Sequence, residues 1–188
     1  MKLTAKILIV VTVCTAFYAP TTNPQVEPSR EYVYKAGFLC KFLLFTRWPE
    51  DVFADSNTEI TIGVLGKNPF GDAFEPVIGE EFNGRPLFVK FFGQDTPAET
   101  LRECHLLFIV PTQDRTDMRR TLTSLEGSHV LTVSDSEDFV EDGGMIGFVQ
   151  TRDRIGFEIH KSAASKAGVN FSSKLLRVAT RVVEADDD

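Results

Sequence analysis

The chain has 188 residues, which is enough for one domain with a full hydrophobic core and short for two. It is 43% hydrophobic and 25% charged and contains 16 Phe, a composition typical of a globular protein. A formal net charge of -7 and the lack of any basic run argue against nucleic acid as a partner, because polyanions are bound by clustered Lys and Arg.

The first residues, 1–16, have the layout of a secretory signal peptide. Lys2 and Lys6 precede a short apolar run, and small residues and a Pro-rich polar stretch follow. The apolar run is shorter than the about 20 residues that cross a bilayer. We expect cleavage after Ala16, a periplasmic location and no membrane span in the mature form. A cytoplasmic chain with an apolar first strand is the alternative.

The remaining sequence divides into three parts. Residues 17–29 are interpreted as a flexible linker because they are polar and rich in Pro. Residues 30–183 alternate apolar segments with turn residues and form the predicted domain. Residues 184–188 are an acidic tail, expected to be a solvated end.

The first predicted element is a helix over residues 30–47. Ser29 stands at the N-cap position and Glu31 adds negative charge to the first turn. Trp48 and Pro49 end the helix, because a proline disfavours helical geometry in the residue before it.

Apolar residues occupy every side of this helix, interrupted by Lys35, Lys41 and Arg47. Such a helix is buried in a core or in an interface. One face can pack on a sheet, and the rest needs cover from the C-terminal helix, from a second copy of the chain or from a partner protein. The sequence leaves these alternatives open. The candidates for a partner or dimer interface are Phe38, Phe42, Phe45, Arg47 and Trp48.

Strands and helices then alternate along the chain. Strands are predicted at residues 59–66, 87–92, 105–110 and 129–135, and this rhythm predicts βαβ units with a largely parallel sheet. The intervening helices are a short helix over residues 72–79 that breaks near Pro76, a short helix with Thr96 as cap and Pro97 at its first position, and a helix over residues 114–125.

The C-terminal part has a different pattern. Residues 143–150 and 154–160 read as two strands separated by a few polar residues, which predicts an antiparallel hairpin. A final helix is predicted over residues 172–183, with Ser172 or Ser173 as cap. The expected fold is a single three-layer α/β domain with a mixed, largely parallel sheet and a C-terminal antiparallel hairpin.

No catalytic or metal-binding pattern is evident. Gly66 and Gly71 have the spacing of a phosphate-binding loop, but Asp72 stands where that loop needs Lys. Cys104 and His105 are adjacent in a strand and point to opposite faces, and the histidines lack metal-ligand spacing. We therefore expect a protein that is not an enzyme and that needs no cofactor.

Ligands of α/β sheets usually bind in the crevice beyond the carboxyl ends of the parallel strands. Gly66, Asn68 and Asp135 follow predicted strands and are candidates for the rim of such a pocket. A purely structural interpretation of the acidic segment 134–144 is a capped turn that leads into the hairpin. A small-molecule binding protein is thus the alternative to a regulator.

Six motifs in order resemble the YfiR family of periplasmic regulatory proteins, over residues 31–182. They are "EYVYKAGFLCKFLLFTRWP", "GVLGKNPFGDAF", "NGRPL", "CHLLFI", "VLTVSD" with "DFVEDGGMIGFV", and "RIGFEIHKSAASKAGVNFSSKLLRVA". The resemblance implies a non-enzymatic regulator that binds and restrains the periplasmic part of an inner-membrane diguanylate cyclase or sensor protein. It also implies a homodimer.

The cysteines and one histidine depart from that family pattern. Family members often carry a cysteine in the first strand, where this chain has Gly63, and an asparagine where it has His160. If Cys14 leaves with the signal peptide, Cys40 and Cys104 remain, an even count that permits one disulfide in an oxidising compartment. Two separate buried thiols are the alternative.

Overall fold

A computed structural model describes residues 29–55, 57–151 and 154–184. The predicted signal peptide, nearly all of the predicted linker and residues 185–188 of the acidic tail lie outside these ranges. The described part contains five α-helices and ten strands, joined by turns and two short 3₁₀ segments.

The helices and strands have the following bounds. The helices are α1 (Arg30–Phe45), α2 (Ala98–Leu101), α3 (Arg115–Ser124), α4 (Lys161–Lys166) and α5 (Ser173–Val178). The strands are β1 (Thr46–Arg47), β2 (Ile60–Leu65), β3 (Glu81–Phe82), β4 (Arg85–Phe92), β5 (Leu106–Ile109), β6 (Leu131–Ser134), β7 (Ile146–Gln150), β8 (Ile155–His160), β9 (Asn170–Phe171) and β10 (Arg181–Val183).

Eight strands form one mixed sheet in the order β10-β8-β7-β6-β5-β2-β4-β3. Its central pairs, from β4 through β2, β5 and β6 to β7, are parallel. β7 and β8 form the antiparallel hairpin that the sequence predicts. β2, β5 and β6 are buried along their whole length, as expected for strands covered on both faces. The predicted α/β fold with a mixed, largely parallel sheet is confirmed.

Helices cover both faces of the sheet and produce three layers. The α1 face holds the larger core, built around α1 with residues of α4 and α5 and many Phe side chains. The opposite face holds a smaller core with residues from α2 and α3. α1 packs against α5 and reaches β3, so the C-terminal helix supplies part of the cover that α1 needs.

The C-terminal segment differs from its prediction. The helix that begins after the Ser172 cap ends at Val178, and Arg181–Val183 pairs parallel with β8 instead of continuing the helix. Two valines in sequence favour a strand, and the free edge of β8 offers backbone partners, such as Phe157, whose carbonyl accepts from Thr180. The amphipathic spacing of this segment predicted a longer helix, but pairing with β8 in the folded protein makes its last residues a strand.

Two helix boundaries also differ. α1 ends at Phe45, two residues earlier than predicted, because Thr46 and Arg47 pair with β9. In α2, Pro97 takes the N-cap position that was assigned to Thr96. β3, α4 and β9 were not predicted from the sequence.

Candidate functional site

A buried polar cluster lies where the first turns of α1 meet the end of β6. The Lys35 ammonium forms an ion pair with Asp135, just after β6, and a second one with Glu31 at 2.5 Å. The Tyr32 hydroxyl donates to Asp135 at 2.9 Å. Tyr32 and Lys35 share this partner because they lie three residues apart, on neighbouring turns of one helix face.

The surroundings of this cluster are apolar. Lys35 lies 4.5 Å from the centre of the Tyr32 ring, and that ring packs edge-on against Phe70 and Phe108. Burial, followed by the negative charge of Asp135, raises the pKa of Tyr32 above its usual range, so the phenol stays protonated and donates. A buried lysine is tolerated here because its charge is paired.

A cavity of about 480 Å³ adjoins this cluster on the β7–β8 side. Asp135, Gln150 and Arg181 are among its lining residues. The second carboxylate oxygen of Asp135 is buried and has no hydrogen-bond partner among the described residues. Asp135, a candidate for a pocket rim, is thus one of the residues that line this cavity.

The other two rim candidates, Gly66 and Asn68, lie in the turn that follows β2 and do not line this cavity. Asn68 accepts from the backbone N–H of Phe70 and donates to the carbonyl of Gly71, which closes the turn. Gly66 has a φ of 114°, and a Cβ built there would lie 2.7 Å from Gln94. The structure thus separates Asp135 from Gly66 and Asn68.

Aromatic rings and a histidine meet beyond the other end of α1. The Trp48 indole N–H donates to the carbonyl of His129 at 3.0 Å, and the Trp48 ring lies edge-on to His105. Phe53 stacks on His105 with ring centres 4.7 Å apart, and the Arg85 guanidinium lies 3.8 Å from the Phe53 ring centre.

His105 is buried as a neutral ring. Its Nδ1 accepts from the backbone N–H of Thr61 at 3.1 Å, so the proton resides on Nε2, which has no hydrogen-bond partner among the described residues. Burial, assisted by the positive charges of Arg85 and Lys90, lowers the pKa of His105 to about 4.

The five interface candidates lie in different environments. Arg47 is exposed and Trp48 half-buried, and both line a cavity of about 760 Å³. Phe38 and Phe45 are half-buried, and Phe38 packs 5.9 Å from the ring centres of Phe148 and Phe157. Phe42 is 0% exposed and belongs to the core, so its side chain offers no surface to a partner in this structure.

An outward stripe on α1, defined as Tyr34, Gly37, Lys41 and Leu44, was not singled out from the sequence. All four residues are exposed, with Tyr34 at 65% and Leu44 at 43%. Their spacing of three, four and three residues places them on one side of the helix, and the stripe leads toward Arg47 and Trp48. The charged Lys41 within an apolar run was the available signal.

Cys40 and Cys104 are free thiols and lie on opposite faces of the sheet. Cys40 belongs to the α1-side core, whereas the Cys104 sulfur lies near Gly63, which faces the other side together with Leu107. The disulfide considered for this pair is therefore not formed. Burial raises the pKa of Cys40 to about 11 and that of Cys104 to about 12, so both thiols stay protonated.

Gly63 lies directly beside Cys104. A Cβ built on Gly63 would be 2.7 Å from the Cys104 sulfur and 2.8 Å from a Leu107 methyl group. A cysteine side chain at position 63 would hence contact Cys104, which the glycine of this chain does not provide.

Within the described ranges, no group of three or more His, Cys, Asp or Glu could hold a metal ion, and no helix is long and apolar enough to cross a membrane.

The fold and surfaces define a single-domain α/β protein with a buried ion-pair cluster at one end of its first helix and an aromatic cavity at the other. The family model described as YfiR/HmsC-like matches residues 32–180, and the chain belongs to this family.

This family is one of periplasmic regulators, and membership supports that general role and a context of cyclic di-GMP signalling. A search of the curated proteins finds no match to the chain.

Proposed function

We propose that this protein binds and restrains the periplasmic part of an inner-membrane signalling protein, with a diguanylate cyclase as the expected partner. Family membership supports the regulatory role. The observation that carries the binding surface is the outward stripe of α1, which exposes an aromatic and an aliphatic side chain on a rigid helix and ends beside the Arg47–Trp48 cavity. Aromatic and arginine side chains are the groups that most often anchor protein interfaces.

Gly37 allows a test of this surface that spares the fold. A Cβ built on Gly37 meets nothing within 4 Å, so a large side chain there projects into solvent. Replacing a helical glycine also favours the helix. We expect Gly37→Trp to fold normally and to block docking along the stripe. The matched control is Glu99→Trp, an exposed position on α2 at the opposite face of the sheet.

The experiment is a pull-down from solubilised envelope membranes with the wild-type protein and both variants, followed by mass spectrometry. The expected result is a membrane protein with a periplasmic region and a cyclase or sensor kinase domain, lost with Gly37→Trp and retained with Glu99→Trp. Cellular cyclic di-GMP should rise with Gly37→Trp if the partner is a cyclase. Equal recovery of the membrane protein by both variants would exclude the outward stripe as the docking surface. If the wild-type protein recovered no such membrane protein, this would count against the proposed regulatory function.

The Asp135 cavity supports a second candidate function, binding of a small molecule. The observation that favours it is a buried Asp135 carboxylate oxygen, which has no hydrogen-bond partner within residues 29–55, 57–151 and 154–184 and lies beside a cavity of about 480 Å³. Thermal shift against a panel of envelope metabolites tests it, with Val149→Phe, which narrows the cavity, as the comparison. A flat response across the panel would remove this candidate.

A further inference from the structure

The cavity beside Asp135 forms where strand β6 is shorter than its neighbour β7. β6 pairs with β7 through its last two residues, Val133 and Ser134. β7 continues over residues 148–150 and pairs there with β8 on its other side. In the described part of the chain, no strand lies beside residues 148–150 on the β6 side. Asp135 directly follows β6 at this opening, and it lines the cavity of about 480 Å³ together with residues 148–150.

Carboxylates predominate among the charged groups of this cavity. The carboxylates among its lining residues are Asp135, Glu137, Asp138, Glu141 and Glu158. One guanidinium, that of Arg181, lies among the described lining residues, and it bridges Glu141 and Glu158. Asp138 is paired with Arg115, which lies outside the lining. The chain thus already binds an organic cation of its own at this cavity, through charge-assisted hydrogen bonds.

Asp135 retains an acceptor that the chain does not use. Its side chain is 10% exposed, and Tyr32 and Lys35 both contact its Oδ2 atom. The Oδ1 atom is buried and has no hydrogen-bond partner within the described ranges. Lys35 is shared with Glu31, so one positive charge faces two carboxylates. Because buried polar atoms are normally hydrogen-bonded, this oxygen favours a donor that enters from the cavity.

We propose that this cavity binds an alkylamine or a polyamine, with one ammonium group on Oδ1 of Asp135 and a second ammonium, where the ligand has one, on Glu137. Glu137 is exposed, lines the cavity and forms no hydrogen bond or ion pair with a described residue. An ammonium group has three donors and no acceptor, which matches a cavity rich in carboxylates. This inference rests on the second candidate function and names the class of its ligand.

The apolar part of the lining favours an organic cation over a metal ion. Phe139, Val140 and Phe148 are buried and line the cavity beside the carboxylates. An alkyl chain is stabilised by burial against such side chains. A metal ion needs several converging ligands. Within residues 29–55, 57–151 and 154–184, no group of three or more His, Cys, Asp or Glu could hold one.

Probes of equal carbon number and different charge test the ligand class. They are cadaverine, pentylamine, pentanol and pentanoate, and isothermal titration calorimetry in low-salt buffer measures their affinities for the wild-type protein. For so small a ligand we expect a Kd on the order of 1 mM for pentylamine. Cadaverine should bind about two- to fivefold more tightly through Glu137, which is exposed. Pentanol and pentanoate should not bind, and added salt should weaken the binding of both amines.

A paired substitution removes the buried acceptor without leaving a buried charge. Lys35→Met combined with Asp135→Asn replaces the ion pair by two neutral side chains, a kind of change that folded proteins often tolerate. Urea denaturation checks that this double variant is folded. It should bind pentylamine about 10-fold more weakly than the wild type or worse, because a hydrogen bond to a charged group is lost.

Three single variants test the site independently of that ion pair. Val149→Phe narrows the cavity and should abolish the binding of both amines. Glu137→Gln should remove the advantage of cadaverine over pentylamine and leave the affinity for pentylamine nearly unchanged. The matched control is Glu99→Gln, which removes an exposed carboxylate on α2 and should bind both amines like the wild type.

Equal amine binding by the wild type, the double variant and Val149→Phe would overturn the proposal, since amines would then bind the acidic surface in general. Binding of pentanol or pentanoate without the amines would also overturn it, but would leave the small-molecule function standing with another class of ligand. The same holds if no probe binds while Val149→Phe abolishes a thermal-shift response to some other metabolite. A flat response to the probes and to the metabolite panel would remove both this inference and the function on which it rests.

Discussion

The two ends of α1 bury polar groups by different means. At the first end, Lys35 and Asp135 bury opposite charges, and Glu31 and the Tyr32 hydroxyl add further contacts. At the other end, His105 is buried as a neutral ring, packed between aromatic rings, and the positive charges of Arg85 and Lys90 add to the effect of burial in lowering its pKa. A buried charge is stabilised by a counter-charge, whereas a buried imidazole can be accommodated as a neutral ring.

Because of this difference, the two ends of α1 are destabilised by different changes. Removing one member of the ion pair leaves a charge buried without a counter-charge, which destabilises the folded state. The histidine end is sensitive to acid instead, because protonation would create a buried cation with positive neighbours. Four substitution or pH experiments test this contrast.

Lys35→Met should have the largest effect. It keeps the side-chain volume but leaves Asp135 with Tyr32 as its remaining side-chain partner, and we expect the free energy of unfolding to fall by about 3–5 kcal/mol. Urea denaturation measures this change. Lys41→Met, an exposed position on the same helix, is the control and should lie within about 0.5 kcal/mol of wild type. Equal costs for the two variants would contradict a buried ion pair.

Acid should destabilise the other end. The pKa of His105 is lowered from 6.5 to about 4 in the folded protein, so the unfolded chain binds a proton first as the pH falls. Stability is therefore full above pH 6.5 and declines between pH 6.5 and 4, by at most about 3 kcal/mol.

His105→Gln tests this assignment. Glutamine does not titrate, so the variant should show a flatter stability profile between pH 6.5 and 4, whatever its stability at pH 7. Asp55, Asp114 and Asp142 have lowered pKa values and contribute mainly at the acid end of this window and below. Their effect is common to both proteins and cancels in the comparison. Parallel profiles would assign the acid sensitivity to other groups.

Tyr32→Phe should have a moderate effect on the ion-pair end. The ring keeps its contacts with Phe70 and Phe108, but Asp135 loses a hydrogen bond from a neutral donor. Hydrogen bonds to charged groups stabilise by about 1.5–3 kcal/mol, and we expect a loss near the lower limit. Tyr34→Phe on the outward stripe is the control and should melt at the wild-type temperature.

Trp48→Phe should have the smallest effect. It removes the indole N–H that donates to His129 and retains a ring against His105, at a cost of about 1 kcal/mol. Calorimetric melting temperatures of the two proteins measure it. A loss of more than about 3 kcal/mol would mean that the half-buried indole contributes to the packing of the core. The variant also removes the one Trp, which supplies the wild-type fluorescence signal.

Part of the candidate site could be identified from the sequence. Asp135 was identified because it follows a buried strand, and Arg47 and Trp48 because they end an apolar helix. Lys35 was treated as a mere interruption of that helix, although Glu31 four residues earlier was a local sign of an ion pair. Its buried partner lies 100 residues away, and no local pattern indicates such a pairing.

The sequence alone determined the elements with strong local signals. The buried strands, the hairpin of β7 and β8 and the burial of α1 follow from hydrophobic period and turn residues, which act over a few neighbouring positions. These signals were sufficient for the fold class and, through six ordered motifs, for the family.

Only the tertiary structure decided where long-range partners meet. The segment 181–183 became a strand because β8 had a free edge, and Cys40 and Cys104 stayed thiols because the sheet lies between them. Phe42 lies in the core, whereas Tyr34 and Leu44 on the same helix are exposed. A helix with apolar residues on every side does not specify which of them will be covered, because the packing of the sheet and α5 makes that choice.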